Sequence, residues 1–93
     1  MARRYAISGL DEAQAYFGHP VLGERLLECT RLVTAVRTRS IEAVLAYPDN
    51  LKFHSSMTLF AHATNHHEAF EAALRKYFRS EYDQLTMEGL GLP

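Results

Sequence analysis

Apolar residues recur along the chain at steps of three and four, and nowhere alternate for long. That pattern predicts helices throughout and no strand. The longest stripe runs through Leu22, Leu26, Cys29, Val33 and Val36, with Leu27, Leu32 and Ala35 widening it. It predicts a helix over 20–36 with neighbours on two sides, opened by Pro20, whose fixed φ suits a first helical position. A second stripe, Phe70, Ala73, Leu74, Tyr77 and Phe78, predicts a helix over 66–79. Asn65 and Glu68 form its capping pair, Glu71 and Arg75 pair on its outer side, and Lys76 and Arg79 suit its C-terminal end. Between these lies 49–63, where Pro48 breaks the chain, Asp49 caps, and Phe53, Met57, Phe60 and Ala61 share one arc.

Shorter helices are predicted over 10–17, with a Ser8/Asp11 capping box and Gly18 in the C′ role, and over 41–47, capped by Ser40 with Glu42 in its first turn. Asp83 to Glu88 adds a last turn. Met1–Ile7 is extended or the stub of an earlier helix. The expected architecture is an all-α single domain over 1–93, a compact bundle of about five short helices centred on 49–63.

The chain has 93 residues, 47% of them apolar and 23% charged, an ordinary folded mixture. A chain of this size buries about 65% of its unfolded surface, so one poorly covered face matters. A formal net charge of −1 argues against general nucleic-acid binding, which needs a basic footprint. Cys29 is the single cysteine, which excludes an intrachain disulfide framework and a multi-cysteine zinc site. Its place in the stripe predicts a buried, inert thiol. No apolar run has the length of a membrane span, and no signal-peptide core opens the chain, so the cytoplasm is the expected compartment.

One cluster invites a chemical reading. Lys52, Ser55, Ser56 and Thr58 lie within two turns near a helix start, and a lysine with three hydroxyls there can hold an anion such as phosphate. The competing reading is a close helix–helix contact, in which small serines let another backbone approach and Lys52 lies along the surface. Histidines gather at His54, His62, His66 and His67. His62 and His66 have the spacing of a two-histidine metal grip, but Asn65 interrupts the helix between them and no third ligand is in sight. They read as surface histidines near helix ends; no metal and no cofactor is expected. A nucleophilic Ser55 or Ser56 would need a base, and His54 beside it on a helix faces away.

Several stretches together resemble a known family. They are Tyr5-Ala6-Ile7, Leu10-Asp11-Glu12-Ala13, Ala15-Tyr16, His19-Pro20-Val21-Leu22-Gly23, Arg25-Leu26 and Glu28-Cys29-Thr30. Pro48-Asp49, Leu51-Lys52-Phe53, Ser55-Ser56-Met57-Thr58-Leu59-Phe60, Phe70, Leu74 and Tyr77-Phe78 continue the match. In this order they resemble the bacterial domain-of-unknown-function family 1810. The resemblance implies a mainly helical fold and no established activity. It also implies a further aromatic-rich N-terminal segment ahead of the Tyr5-Ala6-Ile7 stretch, against which this chain reads as a naturally short member or one with a late start site. Apolar surface so uncovered is expected to end in self-association, as a homodimer or larger oligomer. The functional expectation is therefore a self-associating binding or interaction module, with enzymatic activity left open. The alternative is a protein or enzyme that takes a small anionic ligand on Lys52, Ser55, Ser56 and Thr58.

Overall fold

The computed structural model describes residues 9–38 and 40–91. Expectations for Met1–Ile7 and for a cap at Ser8 fall outside those residues. Six helices follow in order among the described residues: α1 (Leu10–Gly18), α2 (Leu22–Ala35), α3 (Ile41–Val44), α4 (Asp49–Ala63), α5 (Glu68–Phe78) and α6 (Gln84–Gly89). The expected helical fold is present.

Helices α1, α4, α5 and α2 pack in a closed ring, α1 against α4 and α2, α5 against α4 and α2. Helix α6 also packs against α4. This enclosure explains the burial along α4. Its segment Met57, Thr58, Leu59, Phe60 and Ala61 is buried residue after residue, so no side of that turn meets water. The core joins these to Ala13, Phe70, Ala73 and Leu74. Phe70 sits at its middle, with ring centroids 5.7 Å from Phe60 and 5.8 Å from Phe17. The α5 stripe is used as its spacing predicts: Phe70, Ala73 and Leu74 are buried, and Tyr77 and Phe78 half-buried.

Helix α2 departs from expectation. The face it buries carries Gly23 and Thr30, with Leu26 and Leu27 half-buried beside them. The Leu22–Cys29–Val36 stripe is turned about a quarter of a turn away from that face, so Leu22 and Val33 are half-buried while Cys29 and Val36 are exposed. The buried thiol expected at Cys29 is thus corrected to an exposed one. The reason lies at the α1–α2 junction. A Cβ at Gly23 would stand 1.9 Å from the backbone oxygen of Phe17, so only a glycine admits this approach, and the approach sets the rotation of α2.

The C-terminal end of α2 is closed by α5. Lys76 Nζ donates to the carbonyl of Thr34 at 2.5 Å and to that of Val36, and the Tyr77 hydroxyl donates to the Val33 carbonyl at 2.5 Å. Carbonyls at a helix end lack intrahelical donors, and a cation there also meets the negative pole of the helix. Lys76, expected to serve the end of its own helix, serves α2 instead.

Two histidines accept backbone amides near helix starts, and His67 does so as the N-cap of α5, where sequence rules point to Asn65. His67 Nδ1 accepts from the Ala69 amide at 3.1 Å and opens α5. Asn65 does not cap: it and His66 are left-handed, with φ of 55° and 63°, which turns the chain sharply between α4 and α5. His19 Nδ1 likewise accepts from the amides of Val21 and Leu22, at 3.1 and 3.2 Å. Ser40 precedes α3 but gives its hydroxyl to Glu42 at 3.1 Å rather than capping. The hydrogen bonds of the Glu42 carboxylate, first to its own backbone amide and then to Ser40, hold its pKa below the usual value. Asp49 is the first residue of α4, behind Pro48, and makes no side-chain cap.

Candidate functional site

The 52–58 cluster is split by the fold. Lys52 is exposed, Ser55 and Ser56 are half-buried, and Thr58 is buried. Thr58 gives its hydroxyl to the His54 carbonyl at 2.9 Å and accepts from the Asp83 amide at 2.8 Å. Ser55 donates to the Asp83 carboxylate at 3.3 Å. That carboxylate also accepts from the Thr86 amide at 3.0 Å and the Thr86 hydroxyl at 2.7 Å, which caps α6. Ser55 and Thr58 therefore hold Asp83, and through it α6, against α4. An anion placed on these hydroxyls would face the Asp83 carboxylate at short range, a like-charge contact. None of the four residues lines the cavities along α2, between 9–12 and 89–90, beside 36–38 and Lys76, or around 80–87.

Partial burial raises the Asp83 pKa, but the hydrogen bonds from Thr86 and Ser55 and the nearby His54 outweigh it, and the net shift is downward. His54 Nδ1 lies 3.9 Å from the carboxylate, while Nε2 donates to the Glu81 carbonyl at 2.8 Å and the ring stacks on Phe78 at 3.9 Å. A carboxyl with a depressed folded pKa stabilises the fold above its unfolded pKa, near 4, and loses that contribution as pH falls through the folded value. Asp83→Asn keeps the acceptor oxygen but cannot titrate. In urea unfolding between about pH 5 and pH 2, wild type is expected to lose more stability than Asp83→Asn. Parallel curves would rule out a role for this carboxylate in acid stability.

A second polar cluster surrounds the α4–α5 turn. His62 Nδ1 donates to the Thr58 carbonyl at 2.8 Å, and His66 Nδ1 meets the Glu71 carboxylate at 2.8 Å. The Tyr82 hydroxyl donates to the same carboxylate at 3.2 Å. Burial, followed by the charge and hydrogen bond of Glu71, raises the Tyr82 pKa. Glu71, expected to pair with Arg75, instead ties the turn to the 80–83 connection. The rings of His62 and His66 stand 5.1 Å apart. Among the described residues, no group of three or more His, Cys, Asp or Glu side chains is arranged to hold a metal ion. Sequence spacing picked out His62 and His66 but not Glu71, Tyr82 or Asp83. Asp83 meets Ser55 across 28 positions, and no local pattern reports such a contact.

The outward side of α2 offers a different kind of site. Leu32 is 65% exposed and Val21 51%. They share an open groove of about 720 Å³ with Glu24, Arg25, Glu28 and Arg31. Arg31 has one exposed ion pair, 3.7 Å from Glu68, of the kind that contributes little in water. This face holds large apolar side chains on a rigid helix, edged by both signs of charge. Exposed apolar side chains grouped in this way are a feature shared with docking surfaces. No described helix is long and apolar enough to cross a membrane.

A family model described as a protein of unknown function, DUF1810, matches residues 1–90. Among solved structures, the chain is similar to the conserved hypothetical protein Rv1873 from Mycobacterium tuberculosis, with 51% sequence identity and a TM-score of 0.91. The match covers 99% of this chain and 66% of the other, so the chain spans just under two thirds of that protein's length. No curated protein matches it.

Proposed function

The chain belongs to the DUF1810 family of proteins of unknown function, and on that premise we propose that it is a self-associating interaction module whose docking surface is the outward face of α2. The observation that carries this reading is the exposure of Leu32 and Val21 along one groove of a well-anchored helix. Removing two such side chains from water on each copy contributes several kcal/mol, at roughly 1.5–3 kcal/mol for each fully buried side chain. Losses of rigid-body and side-chain freedom offset much of that gain, so the association is weak. The cytoplasm suits this reading, since an exposed thiol such as Cys29 stays reduced there.

Sedimentation equilibrium between about 1 and 100 µM tests it, with a reversible monomer–dimer equilibrium as the expected result. Leu32→Asp puts a charge into the groove at an exposed position. It is expected to shift the equilibrium to monomer and leave the thermal midpoint of the monomer within a few degrees. A wild-type monomer over the whole range would overturn the proposal.

A further inference from the structure

We infer that the second copy seats on this face antiparallel, α2 against α2 about a two-fold axis near Leu27, with the charges of the groove as the register. This rests on the self-association reading and adds its geometry and partner contacts. The residues exposed along the groove read Val21, Glu24, Arg25, Glu28, Arg31, Leu32 in order. Their charges alternate: negative, positive, negative, positive. Such a series is complementary to itself when reversed. In an antiparallel pair centred near Leu27, Glu24 faces the partner subunit's Arg31, and Arg25 faces the partner subunit's Glu28. Each of these contacts occurs twice by symmetry. The same register brings Val21 against the partner subunit's Leu32, so both exposed apolar side chains are covered.

A parallel pair would set each charge against its own copy and repel at four positions, and like charges facing each other select against an arrangement. The two macrodipoles also oppose in the antiparallel arrangement. Arg31 already touches Glu68 at 3.7 Å, but both side chains are exposed, at 57% and 84%. The guanidinium carries five N–H donors and can take the partner subunit's Glu24 while Glu68 stays at the rim.

Charge-reversed variants mixed together test the geometry. Glu24→Arg with Glu28→Arg makes the face wholly positive, and Arg25→Glu with Arg31→Glu makes it wholly negative. Each variant alone is expected to weaken self-association at least tenfold, and a one-to-one mixture to form a heterodimer at or above wild-type affinity. Sedimentation of the separate and mixed samples reads this directly, and circular dichroism checks that helix content is kept. Cross-linking gives a second readout on a wild-type charge pattern in a Cys29→Ser background. Val21→Cys copies mixed with Leu32→Cys copies and oxidised with diamide are expected to give a disulfide-linked heterodimer in preference to either homodimer. Charge variants that dimerise as tightly as wild type would overturn the inference while leaving self-association intact. So would a mixture that stays monomeric, or homodimers as the main cross-linked product. A wild-type monomer would instead remove the reading on which the inference rests.

Discussion

Gly23→Ala is expected to destabilise the protein by about 3 kcal/mol or more, the upper end of what overpacking costs. The added methyl would meet the Phe17 carbonyl oxygen at 1.9 Å and its carbon at 2.8 Å. A clash with a flexible side chain can relax by a rotamer change, but this one is with backbone. The end of α1 and the start of α2 must separate, and His19, between them, supplies both the Nδ1 acceptor for the Val21 and Leu22 amides and the carbonyl that accepts from the Gly23 amide at 2.9 Å. In a domain of this size a loss of 1 kcal/mol lowers the thermal midpoint by roughly 4–8 °C, so a fall of more than about 10 °C is expected. Gly18→Ala is the control. Nothing lies within 4 Å of its added methyl, and in the last turn of α1 alanine has the better helix propensity. The midpoint of Gly18→Ala should hold or rise. If Gly23→Ala melts with wild type, the close approach does not set the α1–α2 packing.

Phe70→Ala is expected to cost about 3–5 kcal/mol, the range for deleting a buried aromatic ring. Phe70 is fully buried and meets the rings of Phe17, Phe60 and His67 at 5.7 to 5.8 Å. Its removal opens a void where α1, α4 and α5 meet, and close-packed interiors refill such voids only in part. The total stability of a chain this long is about 5–14 kcal/mol, so the variant stands near the limit of folding at 37 °C. Urea unfolding followed by circular dichroism should show a much lower midpoint with an unchanged slope. Leu85→Ala, at a site 78% exposed, should lie within about 0.5 kcal/mol of wild type. A small effect at Phe70 would mean that the ring contacts are not the centre of the core.

The sequence located the main helices because helical periodicity and proline breaks are local signals. The bounds of α4 coincide with the expected ones, and those of α2 and α5 fall within two residues. The buried face of α5 was legible for the same reason. Local rules failed where two candidates competed for one role. Asn65 and His67 both lie near the start of α5, and the left-handed turn at Asn65–His66 decided for His67. The 52–58 cluster was visible as a concentration of hydroxyls, but its use was not. Ser55 and Thr58 find their partner in Asp83, 25 or more positions away.

What the sequence determined by itself is the helical class, the run of the chain through its helices, and the family to which it belongs. Spacing, proline position and short motifs carry all three. What only the tertiary structure decided is which side of α2 is buried and what meets across the ring. Apolar residues lie most of the way round α2, so its periodicity is compatible with more than one rotation. One glycine against one carbonyl oxygen selects among them, and that contact exists only once α1 and α2 have met. The selection left Leu32, Val21 and the alternating charges facing outward, and the proposed docking surface follows from it.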